Sequence, residues 1–140
     1  MGTRSTIALE FADCSVQQVY CHWDGYLSNN GRILFNSYSD PFKLQQLIDL
    51  GGLSSLAEAV SPTSEPSFEH AQKGVCVFYA RDRGEVLSKA CFDNFESYAY
   101  DSDREEFNYI LRNNGVWYVR KEQRGNCLTE LSNALKKEIA

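Results

Sequence analysis

Asn113-Asn114-Gly115 stands between two short runs, Glu106 to Arg112 and Val116 to Lys121. An Asn-Gly step between such runs predicts a tight antiparallel hairpin, because both residues tolerate the positive φ that the favoured two-residue turns demand. A lone hairpin is marginal in water, so the rest of the chain must supply further strands or helices to cover it. A second hairpin is predicted near the start. Thr3 to Phe11 is rich in β-branched and apolar residues and suits a strand with one buried face; Ala12 to Ser15 reads as a turn, and Val16 to Trp23 as the return strand. Ile7, Leu9 and Phe11 would then share a face.

Between the hairpins the pattern changes to helical. A helix is expected over about Ser28 to Tyr38, its first turn weakened by Asn29-Asn30-Gly31. A second starts at Asp40-Pro41, with Asp as N-cap and Pro at the first helical position. Phe42, Leu44, Leu47, Ile48 and Leu50 would form its apolar side, and Gly51 would end it. Leu53 to Val60 reads as a short helical piece. Residues 61–73, with two prolines and three serines, read as a long exposed loop within one domain. Gly74 to Ala80 is an apolar run expected to be a central strand, Arg81 to Glu85 a charged turn, and Asp93 the cap of a short helix reaching about Tyr100. A last helix, capped by Asn126, would line up Leu128, Leu131, Leu135 and Ile139. The expected fold is therefore a single α+β domain over residues 1–140, an antiparallel β-sheet built from hairpins and packed against helices.

A chain of 140 residues can bury a core of its own. The net charge is −5, and the 14 basic residues are scattered, which argues against a grip on nucleic-acid backbone. No apolar run approaches the ~18 residues that crossing a bilayer requires. The five cysteines, Cys14, Cys21, Cys76, Cys91 and Cys127, have no metal-knuckle spacing, and reduced thiols in a cytosol are the expectation.

Chemistry concentrates in Tyr20-Cys21-His22-Trp23-Asp24-Gly25-Tyr26. The heptapeptide brings a titratable imidazole, a carboxylate and three large aromatic rings to a strand end. Aromatic faces stack flat rings, and Trp and Tyr add hydrogen-bond donors. Gly25 would admit close backbone approach to a ligand. The same residues also read as core aromatics, a turn and a satisfied polar histidine. His22 and Asp24, two apart, would face one side of a strand, and with His70 a metal or hydrolytic site is conceivable, although the spacing does not support it. Cys21 and His22 are adjacent, so on a strand they point to opposite faces and make no nucleophilic dyad. Arg81 and Arg83 could clamp an anion after the strand at 74–80, and Arg4 starts the first strand between two hydroxyl residues. Pairing with Asp82 and Glu85 is the alternative for Arg81 and Arg83.

Three stretches carry a resemblance: Met1-Gly2-Thr3-Arg4-Ser5, the heptapeptide at 20–26, and Leu50-Gly51-Gly52-Leu53-Ser54-Ser55-Leu56. With Val75 to Tyr79 and Arg81 to Glu85, they make the chain similar to a family of small bacteriophage and prophage proteins. Cys14 departs from that pattern, in which Gly follows Asp13 in the turn. The resemblance implies a setting in the host bacterial cytoplasm, countering host defence. The composition fits a binder better than an enzyme. The expectation is a non-enzymatic protein without a cofactor that holds a small anionic or nucleotide-like ligand. Arg4, Tyr20, His22, Trp23, Asp24, Tyr26, Arg81 and Arg83 would be its ligand contacts. The alternatives are a direct inhibitor of a host defence protein and a small hydrolase using His22 and Asp24. A two-fold homodimer is the default assembly.

Overall fold

The computed structural model describes residues 3–60, 74–102, 105–121 and 128–139. The loop expected at 61–73, with His70, and the expected cap Asn126 lie outside them. The first half holds β1 (Ser5–Glu10), β2 (Val16–Cys21), a π-helical turn (Leu27–Gly31) continuing into α1 (Arg32–Ser37), α2 (Pro41–Asp49) and β3 (Leu53–Ser55). The second half holds β4 (Val77–Phe78), α3 (Tyr79–Arg83), β5 (Ala90–Phe92) and α4 (Phe95–Asp101). It ends with β6 (Phe107–Leu111), β7 (Trp117–Lys121), β8 (Thr129–Glu130) and α5 (Leu131–Ile139).

The fold is α+β. Both predicted hairpins are present, β1 with β2 and β6 with β7, each antiparallel. Gly115 adopts φ +82°, as the turn requires. The described strands form one sheet in the order β4-β3-β2-β1-β6-β7-β8, with β5 pairing beside β2. The sheet is mixed. The hairpins are joined by parallel pairing of β1 with β6, in the register Ser5 with Phe107 to Leu9 with Leu111, and β2 meets β3 in parallel at Cys21 and Leu53. Hairpin signals fix pairing only within each hairpin; which strands meet between hairpins is decided by the helical crossover that covers the sheet.

β1 is thus the central strand, and all six of its residues are buried rather than one alternating face. On one side Ile7, Leu9, Val19, Cys21, Tyr109, Leu111, Trp117 and Val119 meet Leu34, Leu44, Leu47, Ile48, Leu131 and Leu135 of α1, α2 and α5. On the other, Ala8, Val16 and Ile110 meet Tyr98 of α4, with Phe92, Phe95 and Tyr118 around them. Two polar residues of the second side, Thr6 and Glu10, find partners. Thr6 Oγ1 donates to Asn108 Oδ1 at 2.8 Å, and the Glu10 carboxylate accepts from Arg112 Nε at 3.0 Å, Arg112 Nη2 at 3.2 Å and Asn113 N at 3.1 Å.

Asp40 caps α2 as expected, accepting from Phe42 N at 3.0 Å, and Gly51 follows the helix at φ +83°. Phe42, assigned to the apolar side, is 78% exposed, because the second helical residue beyond the cap turns away from the sheet. The run at 53–60 is not a helical piece: its first three residues form β3 and Ala59 makes an isolated bridge to Val75. The run at 74–80 supplies only the two-residue β4 at the sheet's end, not a central strand. The expected charged turn at 81–85 is mostly α3, closed by Gly84 at φ +70°. The cap of α4 is Asn94, not Asp93: its side chain accepts from Ser97 N at 2.9 Å.

Candidate functional site

The site is built where β2 runs out. The strand ends at Cys21, yet His22 N still donates to Leu53 O at 3.1 Å and Trp23 N to Ser54 O at 3.0 Å, so the main chain stays clamped along β3. It then turns sharply through Asp24, whose φ of +57° is left-handed. The turn is held from beneath by a fully buried side chain. Asn30, in the π-helical turn, donates through Nδ2 to Trp23 O at 3.3 Å and Ser5 Oγ at 3.2 Å, and its main-chain N donates to Asp24 O at 3.2 Å. Tyr109 adds a hydroxyl bond to Gly25 O at 2.6 Å. π-Helical turns cost hydrogen-bond geometry and persist where the surrounding structure uses them; here the turn delivers Asn30 under the loop.

Gly25 is needed for packing. A Cβ there would stand 2.7 Å from Ser5 Cβ and 2.8 Å from Thr3 O, while Gly25 N donates to Thr3 O at 2.7 Å. The close approach that Gly25 permits is to the start of β1, not to a ligand. Cys21 faces the core, and burial pushes its thiol up to about 12, which keeps it protonated and unsuited to attack.

On the opposite face Tyr20 and His22 lie side by side. Tyr20 Oη and His22 Nδ1 are 2.7 Å apart, and the ring of Trp23 meets the imidazole edge-on at 4.6 Å and 89°. Trp23 is 44% exposed. Tyr20 is partly buried; burial raises its phenol above the ordinary value, Arg4 pulls it down, and the charge of Glu105 and the presence of Tyr79 push it up again. Arg4, Glu105 and Tyr79 are thus near enough to act on the Tyr20 hydroxyl electrostatically. Tyr79 N is tied to Gly52 O at 3.2 Å, and the Arg83 guanidinium lies 5.6 Å from the centre of the Tyr79 ring. Neither Arg4 nor Arg83 makes an ion pair among the described residues.

Six of the eight expected contacts are accounted for as follows. Tyr20, His22 and Trp23 come together, Arg4 acts on the Tyr20 phenol through its charge, and Arg83 lies over the ring of Tyr79. Arg81 does not. Its guanidinium donates to Val60 O at 2.6 Å, Cys76 O at 3.0 Å and both Asp82 oxygens at 3.1 Å, and packs 4.7 Å over Phe78. It staples α3 to the segments around it and is no anion clamp. The remaining two stand apart. Asp24 and His22 do not share a strand face, since the strand has ended and Asp24 is left-handed; the pair that does share one is Tyr20 and His22. Tyr26, 40% exposed, makes no ring contact with Trp23 or His22 among the described residues. Among the described residues no group of three or more His, Cys, Asp or Glu is placed to hold a metal ion.

Tyr79, Asn30 and Tyr109 escaped the sequence reading. Tyr79 sat inside an apolar run that resembled a central strand, and Asn30 sat in a stretch whose polarity signalled only a weak helix start. The chain matches no family model, no curated protein and no solved structure. Among the described residues no helix is long and apolar enough to cross a membrane.

Proposed function

We propose that this chain is a non-enzymatic binder of a small anionic, nucleotide-like ligand, held at the Tyr20–His22–Trp23 corner. The observation that carries the reading is a half-exposed indole, braced edge-on by an imidazole that is itself bonded to Tyr20, a phenol within reach of the Arg4 charge; Arg4 and Arg83 pair with no carboxylate among the described residues. Trp23 supplies a face for a flat ring. Arg4 and Arg83 supply donors for an oxyanion, and charge-assisted bonds of this kind are about twice as strong as neutral ones. The corner lacks an activated nucleophile: the nearest thiol is buried and protonated, and the nearest hydroxyl is the Tyr20 phenol, raised above its ordinary value.

The resemblance to small phage and prophage proteins, which rests on sequence motifs alone, supports a role in the bacterial cytoplasm as a sequestering agent against a nucleotide signal of host defence. Direct blocking of a host protein is the second reading. It is favoured by the exposure of Val86 at 89% and of the neighbouring Leu87, apolar surface on the segment that precedes β5.

Thermal unfolding against nucleotides, cyclic dinucleotides and ADP-ribose derivatives separates them. A ligand at a hundredfold excess over its Kd adds about 2.7 kcal/mol. The binding reading expects a rise in Tm for at least one compound, lost in Trp23→Ala, with the compound recovered intact. A cleaved compound would make the protein a hydrolase, and a flat panel would favour the blocking reading.

A further inference from the structure

We propose that two copies of this chain associate through residues 85–89, whose open edge pairs antiparallel with itself across a two-fold axis at Leu87. The segment joins α3 to β5. Every residue from Asp82 to Cys91 is exposed, Val86 at 89% and Leu87 at 49%. The segment follows the course of a strand. Phe92 packs with Ala8, Val16 and Tyr98 on one side of the sheet, whereas Leu87 lies against Gly51 and Lys89 pairs with Asp49 of α2 at 3.7 Å on the other. Odd and even positions thus take opposite faces, which is the period of an extended chain. Its inner edge is in use: β5 pairs with β2 through Ala90 to Phe92, and Ser88 O accepts from Gly52 N at 3.0 Å. With Ser88 turned inward, the main-chain groups of Leu87 and Lys89 point outward. Neither of their N–H groups has a main-chain partner among the described residues. Lys89 is exposed as a residue although its side chain is only 25% exposed, so its main chain is the open part.

An unpaired edge with apolar side chains beside it is a template for another strand. The strand that fits here is the segment itself. Glu85 and Lys89 stand two places to either side of Leu87. Antiparallel pairing about Leu87 therefore sets Glu85 of each copy opposite Lys89 of the other, and it does so twice. Leu87 meets its own counterpart, so two half-exposed apolar side chains cover each other. Neighbouring registers lose this match. An axis at Val86 would set Arg83 against Lys89, and one at Ser88 would set Leu87 against Lys89. The bonds available suit the same register. Leu87 N–H can donate to Leu87 O of the other copy in both directions, and Lys89 N–H to Glu85 O. Glu85 N is already given to Tyr79 O at 3.0 Å within its own chain. The pairing stands whether or not the Trp23 corner binds a ligand.

Sedimentation velocity on the full chain, from micromolar to millimolar concentration, reads the assembly. A contact over 85–89 is short of the ~20–30 residues a side of a stable complex, so the dimer should be reversible and concentration-dependent. Leu87→Asp and Leu87→Lys each set like charges face to face on the axis, and each alone should raise the dimer Kd at least ~10-fold. Mixed one to one they should associate again, because Asp then meets Lys; a residue that faces its own counterpart behaves in this way. Lys89→Pro removes the N–H given to Glu85 O of the other copy, while breaking no main-chain bond in its own chain. It should also weaken the dimer at least ~10-fold, and it carries the test if the Leu87 variants do not fold. A dimer indifferent to Lys89→Pro, or folded Leu87 variants that stay apart on mixing, overturns the proposal. So does a wild type that is monomeric throughout, which would leave Val86 and Leu87 to a host protein.

Discussion

Cys14 holds a left-handed backbone, φ +73°, in the turn between β1 and β2. A side chain with a Cβ is costly there by roughly 1 kcal/mol, and glycine is not. Cys14→Gly should therefore raise stability by about 0.5–1 kcal/mol in urea unfolding, even though glycine loses more backbone freedom on folding. Gly25 is the reverse case. Its Cα lies against Ser5 and Thr3, so Gly25→Ala must push the heptapeptide away from β1. A loss of about 2 kcal/mol is expected by the same unfolding assay, with ligand binding weakened because Trp23 moves with the loop.

At the scale of elements, the caps and turns were the most legible part of the sequence, because each depends on one or two residues with a specific backbone requirement. Asp40-Pro41 started α2, and Asn113-Asn114-Gly115 closed the β6–β7 hairpin. Asp40→Ala should cost about 1 kcal/mol, visible in thermal unfolding, through the lost bond to Phe42 N. Apolar runs were the least legible. Val75 to Tyr79 has the composition of a buried strand, yet only Val77 and Phe78 pair with β3, and Val75 makes an isolated bridge to Ala59, before the chain coils into α3. A short apolar run does not say how long its partner strand is, and β3 is too short to extend it. The candidate site was legible to the extent that it is contiguous. Tyr20, His22 and Trp23 stand together in the sequence, and Arg4 reaches them by hairpin register, since Thr6 pairs with Tyr20. Tyr79 and Asn30 reach it only through tertiary packing, and Arg81 was misassigned because its acceptors, Val60 and Cys76 carbonyls, are main-chain groups with no sequence signature.

Across the whole molecule, one ion pair links the central strand to the second hairpin. Glu10 is buried in β1. Burial alone would raise its carboxyl, but hydrogen bonds from Arg112 and from Asn113 N outweigh it and leave the group below the ordinary carboxylate value. A carboxyl depressed on folding stabilises the protein above its unfolded value, near 4.3, and that contribution disappears as the pH falls through the lower folded value. Stability should thus drop on acidification below about pH 4.3, and the drop should be smaller in Glu10→Gln, which starts less stable at neutral pH by about 2 kcal/mol. The pair lies at the end of β1 opposite the candidate site, so binding at neutral pH should survive the substitution.

The same molecule carries its own reporter for the central claim, that the Trp23 corner binds the ligand. Of its two tryptophans, Trp117 is buried and donates its indole N–H to Tyr38 O at 3.2 Å, whereas Trp23 is half-exposed at the site. Tryptophan fluorescence titrated with the ligand found in the thermal panel should be quenched saturably in the wild type. The signal should be lost in Trp23→Phe, and in Arg4→Ala the midpoint should rise ~10-fold, about 1.4 kcal/mol. Quenching that persists in Trp23→Phe, or a midpoint indifferent to Arg4→Ala, would put the ligand elsewhere and contradict the account.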